Sequence, residues 1–172
     1  MNEKLILIVD DEPEGWDHLG IVHLRKGNPE KALEAFRKAL ALDPNFALAH
    51  LNVGAALMEM HFSSPQPARL AEAIGHLKKA TELDPSMNLA FRGLATAYQE
   101  AGQPDEALAA WEKAVISDPA DDFSILNLGL GYLAKGDKFR ARRCFERILT
   151  LKGDRIDEAE RGRLQALIDK CR

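Results

Sequence analysis

The sequence predicts an all-α protein in which helical hairpins stack side by side into a solenoid. The first observation is an apolar stripe at three- and four-residue spacing over residues 28–44, which is typical of an amphipathic helix. The second is that this stripe returns three times further along the chain, and two of the copies end in Asp-Pro as the first does. The third is that a second helical pattern precedes each copy. Such a repeat predicts four stacked units, followed here by a last helix.

The period of the repeat can be read from its proline endings. Pro85 and Pro119 are 34 residues apart, and Ala107 and Ala141 show the same separation. The units are predicted to span about residues 13–46, 47–87, 88–121 and 122–153. Within each unit the first helix carries a large-small pattern, which opens with Trp16 in the first unit. Three units place a glycine where the hairpin must turn, at Gly27, Gly102 and Gly136.

The second helix of three units combines one large aromatic residue with small ones. Phe36, Trp111 and Phe145 occupy the same position of this helix. A small residue four positions earlier allows close approach of the neighbouring helix, and the ring fills the gap beside it. These three rings are therefore predicted to be buried between helices, with Ala32, Ala107 and Ala141 at the close contacts.

The second unit is about seven residues longer than the others, because Pro44 and Pro85 are 41 residues apart. Residues 61–67 read His-Phe-Ser-Ser-Pro-Gln-Pro in place of the glycine turn. Since two prolines and two serines interrupt a helix, this stretch is predicted to form a protruding loop, with the next helix starting near Pro67. The loop is either a contact site for a partner or an insertion that the edge of a solenoid tolerates.

The two ends of the chain lie outside the repeats. Residues 154–172 contain an apolar stripe that includes Ile156, Leu164 and Leu167, and they are predicted to form a capping helix. Such a cap covers the apolar face that the last repeat leaves open. Residues 1–12 are predicted to form an extended or disordered leader.

The repeated residues resemble those of the tetratricopeptide repeat (TPR) family, whose unit of about 34 residues follows a Trp-Leu-Gly-Tyr…Ala-Phe-Ala-Pro pattern. This resemblance implies a right-handed α-solenoid whose first helices line a concave groove. It departs from the family at His23, His50 and Gly153. The matches that carry it are Trp16, Leu19, Gly20, Gly27, Ala32, Phe36, Ala39 and Pro44 in the first unit, and Phe91, Leu94, Ala95, Tyr98, Gly102, Ala107, Trp111, Ala114 and Pro119 in the third.

Residues 4–13 resemble the first strand of a bacterial receiver domain. In that family an acidic pair after the strand helps to bind magnesium, and Asp10 and Asp11 are the matching positions. The match stops where Trp16 opens the first repeat, and no later segment reads as a buried parallel strand. Phosphotransfer is therefore not expected. The alternatives are the leader described above or a strand that pairs with another chain through its edge.

Composition and motif spacing exclude several function classes. A net charge of −4 gives no basic face for nucleic acid. The histidines and cysteines show no metal-ligand spacing, and there is no glycine-rich phosphate loop. An enzyme, a cofactor and a metal are therefore not expected. The apolar run at residues 5–9 is too short for a signal sequence or membrane insertion. With two cysteines and the receiver-like stretch, a bacterial cytoplasmic protein is predicted.

The candidate binding residues come from a second stripe on the first helices. In the second and fourth units this stripe is apolar, although a helix with one neighbour should have a single apolar face. A ligand is expected to cover it. Arg92 and Gln99 place polar groups between the two apolar patches, and amides can hold a peptide backbone. The predicted groove residues are Leu48, Leu51, Asn52, Met58, Arg92, Gln99, Leu126, Asn127, Leu130 and Leu133.

Two functions follow from this groove. The first is an adaptor that binds a peptide or helix of a partner protein in the concave groove. The alternative is a self-assembling scaffold that forms a homo-oligomer through the groove or the leader, with a link to two-component signalling. TPR proteins that bind acidic C-terminal peptides use a clamp of lysines, asparagines and an arginine. Only Asn52 matches that clamp in this sequence, so such a ligand is not expected.

Overall fold

The computed structural model describes residues 12–172. This part of the chain forms nine α-helices, one short 3₁₀ turn and no strand, as the sequence predicts. The helices are α1 (Pro13–Arg25), α2 (Pro29–Leu42), α3 (Ala47–Ser63), α4 (Pro67–Leu83), α5 (Asn88–Glu100), α6 (Pro104–Ser117), α7 (Asp122–Ala134), α8 (Lys138–Lys152) and α9 (Glu158–Lys170). The predicted leader lies outside the described residues except for Glu12.

The helices follow one another as hairpins. Each helix packs against the next, and α1 also contacts α3 while α3 contacts α5. The odd-numbered helices therefore form one layer of the molecule and the even-numbered helices the other. This arrangement is an α-solenoid of helix-turn-helix repeats, and it confirms the predicted fold class.

The core runs as one apolar cluster from α2 to the end of the chain. Phe36 and Phe145 are completely buried, and Trp111 is 1% exposed. The alanines one turn before these rings, among them Ala32 and Ala141, are also buried. The prediction for the aromatic positions is therefore confirmed.

The ends of the helices show why the Asp-Pro pair recurs. A residue before proline is pushed out of the helical region, so α2, α4 and α6 end there. The aspartate then accepts a hydrogen bond from the backbone N–H two residues later. The N···Oδ1 distance is 2.9 Å at Asp43, Asp84 and Asp118 alike. The aspartate thus stabilises the turn into the next repeat.

The hairpin turns within the repeats differ between units. Gly27, Gly102 and Gly136 adopt φ values of 68–78°, a left-handed conformation that favours glycine. The second unit uses a three-residue connection, 64–66, instead.

The predicted loop over residues 61–67 is wrong in its first half. Helix α3 continues to Ser63, and only residues 64–66 lie outside the helices, although α4 starts at Pro67 as expected. With 17 residues, α3 is four longer than α1, and α4 is three longer than α2. The seven extra residues therefore extend both helices of the hairpin by about one turn each. A serine near the end of α3 is compatible with this, because the Ser63 hydroxyl donates to the Glu59 carbonyl oxygen at 3.0 Å.

Candidate functional site

The extended helix α3 faces α5 across an open apolar groove of about 680 Å³. We call this cavity the α3–α5 groove. The two helices supply nearly all of its walls, and Leu77 of α4 reaches it from below. Its lining residues are Leu51, Asn52, Ala55, Met58, Glu59, Phe62, Ser63, Leu77, Leu89, Gly93 and Thr96.

Buried and exposed side chains divide the groove into a floor and a rim. Leu51 and Met58 are 9% and 6% exposed, and they pack into the core. Phe62 and Leu89 are 56% and 58% exposed, although both are large and apolar. A soluble protein rarely leaves such side chains together at a concave surface unless something binds there.

The predicted groove residues of the second unit separate into two groups. Leu51, Asn52 and Met58 line the α3–α5 groove. Leu48 lies exposed near the start of α3 and is not part of the lining. The amide of Asn52 donates a hydrogen bond to the Asp17 carboxylate of α1, at 2.8 Å from Nδ2 to Oδ1.

The two polar residues predicted from α5 have different surroundings. The Arg92 guanidinium lies 3.6 Å from Asp121 and 4.6 Å from the ring centre of Phe123, so it turns towards α7. Gln99 is exposed near the end of α5. Neither side chain lines the α3–α5 groove.

The residues predicted from α7 lie at a second, smaller cavity. Leu126 and Leu130 line a pocket of about 370 Å³ that α9 bounds with Leu164 and Leu167. We call it the C-terminal pocket. Leu133 is half-buried against the core. Asn127 donates to the Phe123 carbonyl oxygen of its own helix at 2.8 Å.

The ten predicted residues are therefore not brought together at one surface. Three of them line the α3–α5 groove, two line the C-terminal pocket, and the rest lie at neither cavity.

Sequence reasoning missed Phe62 and Glu59 as groove residues. The sequence pattern predicts a loop at Phe62, whereas this residue lies in the last turn of α3. The signal that could have found it is the length of the insertion, because seven residues correspond to about two helical turns. The prolines at the end of that stretch mark the start of α4 rather than the end of α3.

Neither a metal-binding group nor a membrane-spanning helix is found in the part of the chain that the structure describes. Residues 12–172 contain no group of three or more side chains arranged to hold a metal ion. Within the same residues, no helix combines the length and apolar character that crossing a membrane requires.

These features define a protein of the tetratricopeptide repeat class, built from hairpin repeats with an apolar groove on one layer. The chain belongs to the family described as the cytochrome c-type biogenesis protein H TPR domain, which it matches over residues 7–125. This match covers more than half of the chain.

Curated relatives match over part of the chain. The probable UDP-N-acetylglucosamine–peptide N-acetylglucosaminyltransferase SPINDLY of Hordeum vulgare is 28% identical over 102 residues, which are 59% of this chain and 11% of that protein. The small glutamine-rich tetratricopeptide repeat-containing protein 2 of Mycosarcoma maydis is 31% identical over 99 residues, which are 58% of this chain and 26% of that protein. The chain thus spans about a tenth and a quarter of these relatives.

Solved structures show the same architecture. A crystal structure of MamA superposes with a TM-score of 0.77 at 25% identity, and the alignment covers 89% of this chain and 85% of MamA. A thermophilic TPR protein of Thermus thermophilus gives a TM-score of 0.72 at 20% identity, with 91% of this chain and 81% of that protein covered. The latter likeness shows the fold alone.

Proposed function

We propose that this protein is a non-enzymatic adaptor that binds a peptide or helix of a partner protein in the α3–α5 groove. The observation that carries the proposal is the pair of exposed apolar side chains, Phe62 and Leu89, above a buried apolar floor. TPR proteins as a class bind other proteins, which supports this use of the groove. The predicted cytoplasmic location remains a prediction.

The shape of the groove favours a ligand with apolar anchors. A helix in such a groove inserts side chains at three- and four-residue spacing, and backbone contacts then fix its direction. Asn52 and Thr96 lie in the lining and can form hydrogen bonds with a bound segment.

The test compares two phenylalanine variants of the full chain. Phe62→Asp places a charge in the groove, whereas Phe139→Asp places one at a 72% exposed position on α8. Both side chains are exposed, so both variants should retain helical circular dichroism. Leu51 is too buried for this purpose, because a charge there would also affect folding.

The expected result is that immobilised wild type and Phe139→Asp capture the same partner from a lysate of the source organism, and Phe62→Asp does not. Equal capture by all three proteins would place the binding surface elsewhere. Light scattering on the same samples tests the self-assembly alternative, because association lost only in Phe62→Asp would identify a second copy as the occupant.

A further inference from the structure

Two carboxylates stand at or directly behind the lining of the α3–α5 groove, although its walls are largely apolar, and a third lies further along α1. Glu59 of α3 lies in the lining itself. Asp17 of α1 lies one hydrogen bond behind the lining, because it accepts from the Asn52 amide at 2.8 Å. Glu14 occupies the previous turn of α1 and acts electrostatically on Asp17.

Asp17 is an unusual residue for this position, because only 1% of its surface is exposed. Burial raises the pKa of its carboxyl, and the Asn52 hydrogen bond and His18 oppose that shift in part. A buried carboxylate is costly unless a cation or several donors compensate its charge. Within residues 12–172 no arginine or lysine forms an ion pair with Asp17, Glu14 or Glu59.

The arginines nearest in sequence to the lining are engaged elsewhere. Arg92, next to Gly93, pairs with Asp121 and stacks on Phe123. Arg69 of α4 donates to the carbonyl oxygens of Met60 and Ser64, at 3.3 Å each, and so closes the turn between α3 and α4. Lys78, next to Leu77, lies over the Tyr98 ring at 5.6 Å and outside the groove lining, and Lys79 pairs with Glu82. The charge that remains uncompensated at the groove is therefore negative.

We infer that the partner segment bound in the α3–α5 groove is basic, with lysine or arginine residues beside its apolar anchors. This inference rests on the proposed binding function of the groove and adds the charge of the ligand. A cation from the ligand could pair with Glu59 in the lining, and the negative charge of Asp17 behind Asn52 would attract it without direct contact. Complementary charge at an interface raises both specificity and association rate. The same carboxylates would repel an acidic segment.

The test uses two synthetic helical peptides of about twelve residues with blocked ends and identical leucine positions. One carries lysine and the other glutamate at the remaining positions. Fluorescence anisotropy with the full chain should show about tenfold tighter binding of the lysine peptide at low salt. That preference should shrink as the salt concentration rises, because ions screen surface charges.

Three variants connect the preference to the groove. Glu59→Gln and Asp17→Asn should each reduce the preference for the lysine peptide by several fold. Glu106→Gln is the matched control, since Glu106 lies in the first turn of α6 and outside the groove lining. If Asp17→Asn fails to fold, Glu59→Gln still decides the question.

Two outcomes would overturn the inference in distinguishable ways. Equal binding of both peptides, or tighter binding of the glutamate peptide, rejects a basic ligand, and loss of that binding in Phe62→Ala leaves the groove as the binding site. Binding of neither peptide, or binding that Phe62→Ala leaves unchanged, rejects the proposed function of the groove together with the inference; alanine is used here because aspartate would itself attract the lysine peptide.

Discussion

The α3–α5 groove lies between the first helices of two successive repeats, with Leu77 of α4 at its floor, whereas the C-terminal pocket lies between α7 and the last helix, α9, with Ile148 of α8 at its floor. The C-terminal pocket has about half the volume of the groove. Leu164 of α9, which is 4% exposed, lines that pocket. An apolar stripe on a first helix therefore lines a wide groove where the next repeat follows it and a smaller pocket where the capping helix follows it.

The largest expected effect comes from weakening the wall that α9 supplies to the C-terminal pocket. Leu164→Ala removes a buried side chain and should lower the free energy of unfolding by about 2–5 kcal/mol, measured by urea denaturation. Because a repeat contacts only its neighbours, the loss of amide protection should concentrate in α7–α9.

Leu89→Ala is the control for this variant, since Leu89 is 58% exposed at the rim of the open groove. It should change stability by less than about 0.5 kcal/mol. Equal stabilities of Leu164→Ala and the wild type would show that α9 does not hold the C-terminal pocket.

The architecture was predictable from the sequence, because repeated patterns report local packing. Phe36 and Trp111 mark the buried side of the second helices, and each recurs with its small neighbours. The residues that the second apolar stripe packs against were not predictable. Leu51 and Leu126 occupy equivalent repeat positions, but different helices lie opposite them. What lies opposite each one depends on tertiary contacts that no local pattern encodes.

The end of α3 in the longer second unit was also not predictable from the local sequence pattern. Pro65 and Pro67 interrupt the helical pattern, but they do not say how far α3 continues before them. The extra turn of α3 places Phe62 at the groove. A stretch whose sequence predicts a loop therefore supplies an exposed apolar side chain at the rim of the candidate site.

The second prediction tests whether the two helices of each hairpin pack equally closely in the two regions. Gly54 and Gly129 occupy the same repeat position. An added Cβ would lie 2.5 Å from Cγ of Leu77 at Gly54, and 2.7 Å from Cε1 of Phe145 at Gly129. Gly54→Ala and Gly129→Ala should therefore each cost about 1–3 kcal/mol in thermal or urea unfolding.

Gly75→Ala serves as the control for the glycine variants. Gly75 lies inside α4, and an added Cβ would meet nothing within 4 Å. Alanine should stabilise this helix by about 0.5–1 kcal/mol. A much larger cost at Gly129 than at Gly54 would show that hairpin packing, and not α9 alone, distinguishes the two regions.

The third prediction uses pH to separate the two regions, because all five histidines lie within the first 76 residues. Nδ1 of His50 lies 2.9 Å from Nδ1 of His76, and Glu72 and Arg37 also face His76. Burial lowers the pKa of His76, and the charge of His50 adds to this shift. Protonation of both rings would replace their hydrogen bond by repulsion.

The sign follows from this lowered pKa. The folded state binds fewer protons than the unfolded state once the pH falls below the ordinary histidine value of about 6.5. The contribution of His76 to stability is therefore complete above that value and declines as the pH falls below it towards the lowered pKa of the folded state. Hydrogen exchange should show the decline in α3 and α4 and not in α7–α9. His76→Gln should flatten it, and an equal decline in both regions would contradict the assignment.

The smallest expected effect concerns the polar contacts around the C-terminal pocket. Lys152 of α8 lies 2.7 Å from Asp122 of α7 and 2.5 Å from Glu160 of α9, so one ammonium group joins three helices. All three side chains are partly exposed, and such pairs contribute only about 0.2–1 kcal/mol. Lys152→Gln should lower stability by that amount at low salt and by almost nothing at about 1 M salt.

Lys79→Gln is the control, since its pair with Glu82 lies within one helix at 3.7 Å. If Lys152→Gln instead matched the loss of Leu164→Ala, α9 would be held by charge, and apolar packing of α9 would no longer explain why the two regions differ.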